Sequence, residues 1–163
     1  MATKIAFFDV PDDIRLLLET YYSRLTEIAQ REMGDVRIHF IFIDTETMSQ
    51  MNQAYRGKEG PTDVLTFVYK DDTENEEFVT EEDEENISDG MEVAEEPYAE
   101  GYICLDVVKK NAEEFKNTFE RELITVLVHS LLHMSGYDHE YDKTNAEEMF
   151  AKQDMYVKQL FNE

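Results

Sequence analysis

The sequence predicts a chain of both helices and strands, on three observations. Four short runs, at residues 4–9, 36–43, 64–69 and 98–106, read as strands bounded by turn residues. Longer segments around them place apolar residues three and four apart, the period of an amphipathic helix. One of these, residues 118–135, is apolar nearly all round through Leu123, Ile124, Val126, Leu127, Val128, Leu131, Leu132 and Met134, as a helix buried on several sides would be.

The elements follow in order. Ile5, Phe7 and Phe8 mark a first strand, and Pro11 with Asp12 and Asp13 suits a helix start, where acids complement the macrodipole. Ile14, Leu17, Leu18, Tyr21, Leu25 and Ile28 continue that helix until Gly34 ends it. Residues 36–43 form an expected central strand, in which His39 reads as a packed side chain. Asp44 or Thr45 can cap a helix to about Tyr55, with Met48, Met51 and Tyr55 facing inward. Gly57, Gly60 and Pro61 make a turn into the third strand, which should pair with the fourth across a long insertion. Asp106 can cap a helix through Val107, Val108, Ala112 and Phe115. After the buried helix, Thr144 and Glu147 read as a capping box for a last helix through Ala146, Met149, Phe150, Gln153, Val157 and Leu160.

With 163 residues the chain is expected to be one domain, 1–163, with an acidic, flexible insertion at about 71–97. The net charge is −23, but residues 71–100 hold fifteen acids and no Lys or Arg, so the other 133, with 23 acids and 15 bases, carry only −8. At physiological salt the Debye length is about 8 Å, so an acidic loop held away from a site need not spoil anion binding there. The residual charge still argues against tight, non-specific RNA binding. A single cysteine, Cys104, excludes an internal disulfide, and no run of apolar residues is long enough to span a bilayer or form a signal peptide. A soluble cytoplasmic protein is expected.

The chemistry concentrates in residues 129–139, where three of the four histidines stand as H-x3-H-x5-H. On a helix His129 and His133 lie one turn apart on one face. Gly136 stands where a left-handed residue would end that helix and let the chain bring His139 back. Three imidazoles meeting at one point suit a divalent transition metal, zinc above all, with a fourth position open. The spacing is that of metzincin peptidases, but their general-base glutamate is replaced by Ser130. Arg56 and Lys58 stand out as grouped bases in a loop. A guanidinium fork matches phosphate oxygens, while a surface arginine paired with an acid is the plainer alternative.

Two motifs and a third, weaker one resemble the YbeY family of bacterial rRNA-processing proteins. Residues 55–67, from Tyr55-Arg56-Gly57-Lys58 through Pro61-Thr62-Asp63-Val64-Leu65-Thr66-Phe67, match Y-R-G-K-x-x-P-T-D-V-L-S-F with Thr66 for serine. Residues 129–140 match H-G-x-L-H-L-x-G-Y-D-H-E, with Ser130 for glycine and Met134 for leucine. Residues 99–104 stand where the family has G-D/E-I-x-I-S, keeping the acid as Glu100. The acidic insertion departs from the shorter family loop.

The resemblance implies an α+β fold with a small mixed sheet, helices packed around it, and a central buried helix carrying the metal-binding histidines. It implies a single-strand-specific, metal-dependent endoribonuclease acting in 16S rRNA 3′-end maturation and ribosome quality control. By the same resemblance His129, His133 and His139 hold one Zn2+ per chain, and Arg56 acts in the RNA-binding cleft. Asp138 or Glu140 could orient a ligand histidine, and Glu100 is a candidate for moving protons. The expected partner is rRNA of the small ribosomal subunit, with no membrane or DNA, and the expected state is a monomer. The alternatives are a non-catalytic ribosome-assembly factor with a structural metal, and a metallohydrolase of another substrate.

Overall fold

A computed structural model describes residues 3–69, 97–136 and 143–162, with only the backbone at 143 and 144. The acidic insertion other than Pro97 lies outside the described residues, as do Asp138, His139 and Glu140.

Among the described residues four strands make one sheet in the order β1-β2-β4-β3: β1 (Lys4–Phe8), β2 (Arg37–Ile43), β3 (Val64–Val68) and β4 (Ala99–Cys104). The first three in that order run parallel and β3 joins β4 antiparallel, so the sheet is small and mixed and β2 is interior, as expected. Five helices cover it: α1 (Arg15–Met33), α2 (Thr45–Arg56), α3 (Leu105–Glu114), α4 (Phe119–Met134) and α5 (Lys143–Leu160). A short 3-10 turn, Asp12–Ile14, leads into α1. This is an α+β fold.

Alternation along the strands sends side chains to two faces. Ile38, Phe40 and Phe42 of β2, with Ala99 and Ile103 of β4, join α1, α4 and α5 in the main core. Leu65 and Cys104 face the other way and meet Met48 of α2 in a smaller cluster. Gly101 is required by this packing. A Cβ there would lie 2.7 Å from a ring carbon of Phe40 and 3.0 Å from Ser130 Oγ on α4.

Local signals explain most helix ends. Asp44 accepts from Thr47 N–H at 2.8 Å and Thr118 from Arg121 N–H at 3.0 Å, each cap contributing about 1 kcal/mol. Asp106 is not a cap. The chain passes from β4 into α3 at Cys104, and Asp106 lies in the first turn, its carboxylate accepting from Thr45 Oγ1 at 3.0 Å. Tyr55, expected on the inner face of α2, is 67% exposed, and Phe115 is 63% exposed. Phe115 follows the last turn of α3, and at the end of α2 the buried inner residue is Asn52. Thr144 lies within α5, which is already helical at Lys143, so the expected capping box does not mark its first residue.

Candidate functional site

Helix α4 is buried on nearly every side, and its pattern shows how the histidines are presented. From Glu122 onward its buried residues are 122–124, 126–128, 130–132 and 134, leaving Thr125, His129 and His133 as a stripe four residues apart that reaches solvent in part. The two histidines thus project from the single open edge of a helix fixed by surrounding side chains.

His129 is held from α5. Its Nδ1 lies 2.7 Å from Gln153 Oε1, and the Phe150 ring sits 6.1 Å away between centroids. A carbonyl oxygen only accepts, so this contact is a hydrogen bond when Nδ1 carries the proton, which leaves the lone pair on Nε2. That tautomer suits a metal ligand, whose second ring nitrogen is usually tied by a hydrogen bond. After His133 the helix closes at Ser135, whose Oγ donates to Leu132 O at 2.7 Å, and Gly136 takes φ +118° with its N–H on His133 O. The left-handed residue expected at that turn is therefore Gly136. No group of three or more His, Cys, Asp or Glu suited to a metal is present among the described residues. The two described imidazoles fit zinc by their chemistry, and the third expected ligand, His139, is outside what the structure describes.

Ser130 points away from this stripe. It is fully buried, with its Oγ 2.8 Å from Thr66 Oγ1 on β3 and close to the glycine at 101. The peptidase alternative lacks its general base, because the residue at that position is a buried serine bonded to Thr66.

Arg56 is the last residue of α2 and is exposed. Gly57 is left-handed at φ +66°, and its N–H donates to Gln53 O at 3.0 Å, closing the helix directly after the arginine. Asn52, 4% exposed, donates from Nδ2 to Gly60 O at 2.8 Å and ties the loop back to α2. The Arg56 loop runs into β3 from the α2 side, while α4 meets β3 through Ser130 from the other. The sheet thus lies between the two predicted site elements, and both border its edge strand.

Glu100 is engaged on the α2 side. Tyr69 and Tyr102 both donate to its Oε1, at 2.8 and 3.0 Å, and His39 Nδ1 stands 3.8 Å from Oε2 directly across the β2–β4 ladder. Burial, then the hydrogen bond to Glu100, pushes both phenols above the usual tyrosine range. His39 also packs edge-on against Phe8 at 4.7 Å, the packed role expected of it, with the carboxylate as an additional neighbour.

A cleft of about 330 Å³ opens at the carboxyl ends of the parallel strands, where α/β sheets commonly bind ligands. Asp9, Asp13, Asp44 and Asp106 line it against Lys109, so it repels a phosphodiester. Gln153 and Asn52 are the functional candidates that sequence reasoning missed. Both act through contacts that no local spacing encodes. Among the described residues no helix is long and apolar enough to cross a membrane.

Comparison with known proteins agrees with the motifs. The family model described as endoribonuclease YbeY matches residues 8–161. The endoribonuclease YbeY of Thermotoga neapolitana is 40% identical over 147 residues, covering 90% of this chain and 83% of that protein. Its counterpart in Thermosipho melanesiensis is 40% identical over 139 residues, covering 85% and 84%. The solution structure of a Thermotoga maritima protein superposes with a TM-score of 0.64 at 35% identity, covering 97% of this chain and 89% of the other.

Proposed function

The chain belongs to the endoribonuclease YbeY family and is an endoribonuclease, a hydrolase acting on RNA, and from that premise we propose that it depends on zinc, cuts single strands, and acts in 16S rRNA 3′-end maturation and ribosome quality control. The observation that carries the metal dependence is the pair of imidazoles on the open edge of α4, one of them with its Nδ1 2.7 Å from the side-chain oxygen of Gln153. His129, His133 and His139 would hold the ion, with Asp138 or Glu140 orienting one of the rings.

Zinc, when bound, supplies Lewis acidity and makes water nucleophilic near neutral pH. The rest is the work of side chains. The rigid packing of α4 keeps two ligand rings in place before substrate arrives, which avoids reorganisation during the reaction. An RNA strand laid across the β3 edge, which α4 and the Arg56 loop both border, would bring a phosphate oxygen to the planar fork of Arg56, which opposes the negative charge that builds there in the transition state. Gly57 and Asn52 set where that fork starts. Glu100, already accepting two phenolic hydrogens, is better read as holding the sheet than as moving a proton. The partner we propose is rRNA of the small subunit, met by a monomer in the cytoplasm.

The test is zinc content of the purified protein beside single-turnover cleavage of a 16S 3′-end fragment. Arg56→Ala should slow cleavage about 10²–10³-fold with zinc retained. His133→Ala should lose both zinc and cleavage while remaining folded by circular dichroism. Wild-type rates in His133→Ala, or equal cutting of duplex and single strand, would sink the reading.

A further inference from the structure

We propose that Gln153 is a positioning residue for the metal site: it holds His129 in the Nδ1–H tautomer and aims Nε2 outward. The inference rests on the metal reading above and extends it to a residue of another helix, 24 positions away. An unconstrained neutral imidazole prefers its proton on Nε2, the nitrogen that this site needs bare. The 2.7 Å contact with an oxygen that can only accept reverses that preference. The neighbouring Phe150 ring lies beside the imidazole, 6.1 Å away between centroids and tilted 32° from its plane.

The acceptor is itself well anchored. On either side of Gln153, Lys152 Nζ and Tyr156 Oη both donate to Glu32 of α1, the lysine at 2.9 Å. Met149, Val157 and Leu160 are buried in the main core. Residues 152 and 156 therefore pin α5 to α1, while residue 153, turned about 100° from its neighbour, reaches α4. Sliding α5 by one residue would break all three contacts together.

The experiment reads tautomer and affinity separately. Long-range proton–nitrogen NMR on the metal-free, 15N-labelled chain should show His129 protonated at Nδ1 in wild type and in Gln153→Glu, which keeps an acceptor. In Gln153→Met, matched in length but without an acceptor, the proton should move to Nε2. Chelator competition should then show zinc bound about 10–100-fold more weakly by Gln153→Met and near wild-type strength by Gln153→Glu. Should the methionine variant not fold, Gln153→Asn, whose oxygen falls one methylene short, should give the same shift and loss. A tautomer unchanged in the variant lacking the acceptor, or zinc affinity unchanged despite a moved proton, overturns the proposal. Absence of zinc binding by wild type would overturn the metal reading instead, and the two failures are distinguishable because the tautomer is read with no metal added.

Discussion

On one face of the sheet, Ile38, Phe40 and Ile103 are sealed beneath α1, α4 and α5; on the other, α2 covers Leu65 and Cys104, and the His39–Glu100 end carries partly exposed polar groups. Both faces belong to the same strands and differ only in which alternate residues they receive. The deep face supplies rigidity, and it is there that the histidine helix lies. The thin face supplies the Arg56 loop and a tyrosine–carboxylate cluster. A ligand site whose geometry must be set in advance belongs on the better packed side.

Truncations should expose that asymmetry most strongly. Leu127→Ala, at a fully buried position of α4, should cost about 2–5 kcal/mol by urea unfolding. Met48→Ala, equally buried but in the smaller cluster, should fall near the low end, about 2 kcal/mol, because the site can collapse more easily. Equal losses would erase the distinction between the faces. A smaller effect comes from Gly101→Ala, whose added methyl meets the buried Phe40 ring on the deep face, and overpacking there should cost about 1–3 kcal/mol. A neutral result would mean that α4 can lift from the sheet without penalty.

The smallest effect is electrostatic. Tyr69 and Tyr102 on the thin face, and Tyr21 at the edge of the deep one, have raised phenol pKa values, Tyr21 pushed up to about 12 by burial and by its bond to Glu120. A raised folded-state pKa gives stability that is fully present below the unfolded value of about 10 and lost as pH climbs through the folded value. The urea midpoint should therefore decline above pH 10. Glu100→Gln should make Tyr69 and Tyr102 ionise earlier in ultraviolet titration and leave Tyr21 unmoved. If all three phenols shift together, the faces are coupled and the comparison fails.

What the sequence made legible is periodic or local. The all-round apolarity of α4, the Asp44 cap, the end of α1 at Gly34 and the left-handed turn at Gly136 each depend on a few adjacent residues. Two of the predicted zinc ligands could be placed on one face by counting alone. What stayed hidden depends on tertiary proximity. Asp106 has the chemistry of a cap, but β4 feeds α3 without an intervening turn, so its carboxylate accepts from the Thr45 hydroxyl instead. Tyr55 follows the apolar period of α2, yet its ring meets Phe67 of β3 edge-on, at 5.1 Å, and stays 67% exposed. The Gln153 contact with His129 arises from helix packing, and glutamine in a helix announces no partner.

One clasp has a consequence for how this chain tolerates change. Tyr69 N–H donates to Tyr98 O at 2.8 Å, and Tyr98 N–H to Arg37 O at 2.7 Å, so the two ends of the stretch 70–96 leave and re-enter the sheet side by side. Strand alignment is set by those bonds and not by the residue tally between them. In general, the entropic cost of bringing two points of a chain together rises by only about 0.6 kcal/mol for each doubling of the number of residues between them. Evolution could therefore lengthen, shorten or recompose that span at the β3–β4 junction while the hydrolytic scaffold kept its shape.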